Sequence, residues 1–162
     1  MALFALLSQT QQLHSSVDVG SISDVRGNAQ VLRDKPYGAE LEFNIQQMDD
    51  VRTEAGRVAI TFEDDSTVKL TEHSKLVIDE YIYDPDPSKS KMALKFASGT
   101  ARFITGKFNN KSNISIRTPT ANIAIRGTDF TCTVDELGRS LVILLPDENG
   151  ISSGEIIVST GM

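Results

Sequence analysis

The chain is predicted to be an all-β domain, an antiparallel β-sandwich or β-roll built of successive hairpins with a short N-terminal helix or arm. Three observations predict it. Apolar residues recur with a period close to two; the alternating segments follow one another about every 8–12 residues with turn residues between them; and no mid-chain segment sustains a helical period. At 162 residues the length suits one domain, read as an arm over 1–16 and an all-β domain over 17–162.

The elements follow in order. Val58, Ile60 and Phe62 alternate with Ala59 and Thr61, and after Glu63, Asp64, Asp65 and Ser66 the pattern resumes with Val68 and Leu70. That is a hairpin with an acidic turn. Leu76 and Ile78 begin the next strand, which runs towards Tyr81 and Tyr83. Met92, Leu94 and Phe96 alternate with Lys91, Ala93 and Lys95, Gly99 marks a turn, and Ala101 and Phe103 continue. Ile114 with Ile116, Ile123 with Ile125, and Phe130, Cys132 and Val134 form three more strands. Leu141 to Leu145 is an unbroken apolar run, which predicts a strand covered on both faces. Ile156 to Val158 closes the series. The Pro-containing stretch from Asp84 to Lys91 and the polar stretch from Asp147 to Gly154 read as loops. The predicted core is Ile60, Phe62, Val68, Leu70, Leu94, Phe103, Ile116, Ile125, Phe130 and Val142.

Composition narrows the function. The net charge is −6, whereas phosphate binding calls for a basic face; no nucleic-acid partner is expected. No apolar run has the length that spans a bilayer, and no membrane partner is expected. Cys132 is the only cysteine, so no internal disulfide forms, and its alternation with Phe130 and Val134 makes it a small core residue. Leu3, Phe4, Leu6 and Leu7 resemble the start of a signal peptide, but no Lys or Arg precedes them and polar residues from Ser8 end the run.

Catalytic chemistry is not expected. His14 and His73 are the only histidines and fall in different elements, so neither is set up as a general base. One Cys and two His supply no zinc spacing. Asp84 and Asp86 are flanked by Pro85 and Pro87, which suits a solvated turn better than a calcium loop. Gly106 and Lys107 are followed by Phe108, not the Ser or Thr of a phosphate loop. Asp64 and Asp65 read as a hairpin tip, and Asp49 and Asp50 as caps of a turn. In Arg126, Gly127 and Thr128, the glycine is expected to supply a positive φ or close backbone approach, the threonine to bond the turn, and Arg126 to pair with an acidic group, here or on a partner. No cofactor and no metal are expected.

The order of these residues resembles a known family. Gly20, Ile22, Val25 and Gly27 are similar to the opening strand and turn of the FecR-like domain. Met48 to Thr53 is similar to its "gd.i.T" step, and Val58, Ile60, Phe62, Ser66, Val68 and Leu70 to its "a.l.l.dGs.l.l" hairpin. Phe96 with Gly99, then Thr118 to Thr120 and Arg126 to Phe130, resemble its later turn and closing segment. The resemblance covers about Val17 to Val134. Asp65 stands where the pattern has glycine, which predicts a different turn geometry. The resemblance implies an all-β scaffold used as a module in larger assemblies, and no reaction.

The function expected from the sequence is therefore a non-enzymatic, protein-binding structural part. The first reading is a bacteriophage virion component of the tail or baseplate, assembled in the host cytoplasm and present in several copies. The alternative is a periplasmic FecR-type signalling or cell-envelope module. The partners are other protein subunits. The expected partner-binding residues are Leu3, Phe4, Leu6 and Leu7 in the arm, Arg126, and Ile156, Ile157 and Val158 in the last strand.

Overall fold

The computed structural model describes residues 16–109, 111–152 and 154–160. The expected helix or arm, with Leu3, Phe4, Leu6 and Leu7, lies outside the described residues. The rest folds into fourteen strands: β1 (Asp18–Arg26), β2 (Ala29–Leu32), β3 (Pro36–Gly38), β4 (Asn44–Gln46), β5 (Asp50–Thr53), β6 (Arg57–Phe62), β7 (Thr67–Leu70), β8 (Lys75–Ile82), β9 (Lys91–Ile104), β10 (Asn113–Arg117), β11 (Asn122–Arg126), β12 (Phe130–Val134), β13 (Ser140–Leu144) and β14 (Glu155–Ser159). A single 3-10 turn at Pro87–Lys89 interrupts them.

Two sheets enclose one core. The first runs β4-β1-β6-β7-β9-β12-β13 and is antiparallel throughout. The second runs β3-β2-β5-β8-β9-β10-β11-β14, antiparallel except for the parallel pair β9–β10. β9 belongs to both: Lys91 to Ser98 pairs with β8, and Gly99 to Ile104 with β7 and β12.

This crossing explains a change of phase in the sequence. Met92, Leu94 and Phe96 point inward at even positions, Ala101 and Phe103 at odd ones. Between them Leu76 pairs with Phe96 and Lys75 with Ser98, so Ala97 is an extra residue in a bulge. A bulge moves the following side chains to the other face. Gly99 then takes φ +96°, a backbone region that favours glycine. A second bulge at Asp79 likewise turns Tyr81 inward after Leu76 and Ile78.

Nine of the ten predicted core residues are buried, and Val142 is half-buried. Phe103 and Phe130 stack at the centre with ring centroids 4.5 Å apart. Cys132 is fully buried, and burial pushes its thiol up to about 11.

Two expectations are corrected. The run Leu141 to Leu145 is not covered on both faces: β13 pairs with β12 alone, and Leu141 and Ile143 are 59% and 50% exposed. An apolar run marks a covered strand only if a neighbour and a second layer reach it, and here the sheet ends. The turn at Asp65 keeps the geometry a glycine would give, with φ +67°. Aspartate is among the few residues that adopt this conformation readily.

Candidate protein-binding surface

The acidic motifs are used inside the fold. Asp49 is fully buried and receives the Arg33 guanidinium in bidentate fashion, Nε to Oδ1 at 2.7 Å and Nη2 to Oδ2 at 2.7 Å. Gln46 N also donates to Asp49, at 2.8 Å. Hydrogen bonding to Asp49 raises the Arg33 pKa above its ordinary value. Tyr37 and Phe43 flank the guanidinium. The carboxylate thus ties the β2–β3 turn to β4 and β5, which goes beyond the turn cap expected of it.

Asp64 is also fully buried, unlike the exposed hairpin tip expected. It accepts from Tyr81 Oη at 2.9 Å and from Ser66 Oγ, and its own N–H donates to Tyr81 Oη at 3.0 Å. The loop after β9 docks on this pair: Gly106 N donates to Ser66 Oγ at 3.0 Å and Lys107 N to Asp64 O at 2.7 Å. Burial, with the bond to Asp64, raises the Tyr81 pKa. Gly106 and Lys107 therefore serve a loop anchor.

Other candidates take local roles. Asp86 accepts from Ser88 N and Oγ at 3.1 and 2.8 Å, and Asp84 from Asp86 N at 2.8 Å, so both carboxylates organise their own turn. Exposed His73 occupies a turn at φ +53°. Gly127 has φ +63°, and Thr128 Oγ1 donates to Asp129 O at 3.1 Å. Arg126 is exposed on β11, opposite Glu155, and forms no ion pair among the described residues.

The surface feature that stands out is apolar. Leu137, Leu141, Ile143, Ile151, Ile157 and Val158 are all exposed, and they belong to β13, β14 and the adjoining turns. Both strands are sheet edges. Of the predicted C-terminal contact residues, Ile156 is half-buried against the core, while Ile157 and Val158 are 46% and 55% exposed. The structure brings these three together with Arg126, because β11 and β14 pair. Leu141 and Ile143 were missed as surface residues. No sequence signal marked them, because an apolar run does not report how many strands lie beside it.

A family model described as FecR protein matches residues 49–146. No curated protein and no solved structure matches significantly. The matched span begins at the buried Asp49, takes in Asp64 and the β9 crossing, and ends just beyond β13. It covers more than half of the chain, which therefore belongs to the FecR family.

Proposed function

We propose that this chain is a non-enzymatic protein-binding module of the FecR kind, acting at the cell envelope on the periplasmic side. Membership of that family is the observation that carries the reading. The virion reading draws nothing from the match and gives way to the alternative. The conspicuous polar clusters are engaged in fold contacts: Asp49 with Arg33, Asp64 with Tyr81 and Ser66. What is left for function is surface, and the partner is a protein that covers the β14 edge. The β14 edge with Ile157 and Val158, the adjacent Arg126 and the arm residues Leu3, Phe4, Leu6 and Leu7 form that contact. Exposed apolar side chains beside an unpaired strand edge favour association with another chain.

The test is site-specific photocrosslinking from position 157 in the native host, combined with cell fractionation. A discrete adduct with one envelope protein, lost in an Arg126→Glu variant, is the expected result. Copurification with phage particles would restore the virion reading. No adduct from position 157, 158 or 126 would defeat the surface assignment.

A further inference from the structure

The four ends of the two sheets are unlike one another. β3 and β4 have three residues each, and β3 opens with Pro36; short strands and proline blunt an edge against pairing. β13 has five residues, Ser-Leu-Val-Ile-Leu, with no charge, no proline and no bulge.

The hydrogen-bond phase of β13 is set by its two ends. Asp135 N donates to Arg139 O at 3.0 Å and Leu145 N to Asp129 O at 2.9 Å. Antiparallel ladders alternate bonded and non-bonded pairs, so 139, 141, 143 and 145 bond towards β12. Ser140, Val142 and Leu144 turn their N–H and C=O groups to the open edge. That leaves six backbone groups in a row with no strand beside them among the described residues.

We infer that β13 pairs antiparallel with β13 of a second copy, with Val142 on the two-fold axis. In that register Val142 faces Val142 and Ser140 faces Leu144 of the other copy, and all six outward groups of each strand bond. The neighbouring registers lose bonds. An axis at Ile143 sets Ser140 against Pro146, which has no N–H. An axis at Leu141 sets Leu144 against Gly138, whose N–H and C=O are already bonded to Asp135 O and Thr120 Oγ1. The Val142 register also places exposed Leu141 beside exposed Ile143 of the other copy, and Arg139 beside Leu145, so no like charges meet. Self-complementarity of this kind is what a two-fold interface needs, and it selects a second copy as the occupant. The β14 edge and Arg126, proposed above for the envelope partner, lie on the other sheet, so the two contacts are tested separately.

Sedimentation equilibrium of the full chain from about 1 to 500 μM tests the inference, a range that brackets a weak two-fold contact. The expected result is a monomer–dimer equilibrium that Val142→Pro weakens at least tenfold, with an unchanged circular dichroism spectrum. Proline is tolerated there because the Val142 N–H bonds to nothing among the described residues of the monomer. Ile143→Lys, at an exposed position, gives the same loss if the proline variant unfolds. Register is read by mixing Leu141→Cys and Ile143→Cys chains under oxidation: an interchain disulfide forms in the mixture and in neither chain alone, Cys132 being buried. A monomer at every concentration, a dimer indifferent to both Val142→Pro and Ile143→Lys, or a disulfide in the Leu141→Cys chain alone overturns the inference.

Discussion

Replacing Gly99 by alanine tests whether the β9 crossing holds the two sheets together. Two costs add. At φ +96° an L side chain is strained, by about 1–3 kcal/mol. The new Cβ also falls onto Ser74, 2.6 Å from its Cα and 2.7 Å from its Cβ. Ser74 cannot withdraw easily. It is fully buried, its N–H donates to Thr53 Oγ1 at 2.9 Å and its carbonyl accepts from Thr53 N at 3.0 Å. Overpacking of such a site costs about 1–3 kcal/mol, so the total is roughly 2–6 kcal/mol. Gly38→Ala is the control, because nothing lies within 4 Å of its added Cβ and the change should stay within about 0.5 kcal/mol. Urea unfolding of the two variants gives the comparison through the midpoint at constant slope. If Gly99→Ala unfolds within 0.5 kcal/mol of the parent, an estimate on the same scale as the control, the crossing is plastic and the reasoning fails.

Phe130→Ala removes a fully buried ring stacked on Phe103 and should cost about 3–5 kcal/mol in the same assay. Asp65→Gly should leave stability unchanged or raise it by up to about 1 kcal/mol, because φ +67° suits glycine and the Lys107 pair it loses is largely exposed; a loss above that size would mean Asp65 does more than turn the chain. Tyr81→Phe removes the hydroxyl shared with Asp64 and should cost about 1–3 kcal/mol, a double-mutant cycle with Ser66→Ala giving clear coupling through the shared carboxylate. The Cys132 thiol titrates from an ordinary 9.0 to about 11 on folding. A raised folded value means its contribution is complete below pH 9.0 and disappears as pH rises to about 11. Unfolding midpoints across that window should fall less steeply in Cys132→Ala, by at most roughly 2–3 kcal/mol.

The fold was legible where one face of a strand is buried and the other solvated. Ile114 with Ile116 and Phe130 with Cys132 and Val134 announce themselves, since period two maps directly onto one side of a sheet. It was not legible where the phase changes. The bulges at Ala97 and Asp79 invert the inward face, and a local pattern cannot distinguish a bulge from the end of a strand. β2, β3 and β4, with sequences AQVL, PYG and NIQ, are too short and mixed to show alternation. The parallel pairing of β10 with β9 joins segments more than twenty residues apart, and turn chemistry says nothing about it. At the candidate surface, β14 was read correctly as a strand. β13 was not, because hydrophobicity reports how apolar a strand is and not how many neighbours it has.

The two motifs that carry the buried acidic residues do comparable work. Asp49 gathers Arg33 and the Gln46 N–H; Asp64 with Ser66 gathers Tyr81, Gly106 and Lys107. Each is a buried carboxylate: Asp49 bonds Arg33 of the β2–β3 turn and the Gln46 N–H of β4, and Asp64 bonds Tyr81 of β8 and Ser66, so losing either leaves buried polar groups unsatisfied. Residues of this kind serve the fold itself, so they bear on the scaffold and name no partner. On the proposed binding role, specificity would come from residues on which the fold does not depend. Leu141, Ile143, Ile157 and Val158 meet that condition: they are exposed, they lie on sheet edges, and replacing their side chains leaves every hydrogen bond of the two buried hubs intact. β14 moreover lies outside the matched span of 49–146, so the strand best placed to distinguish this module from other FecR domains is one that the shared scaffold does not dictate.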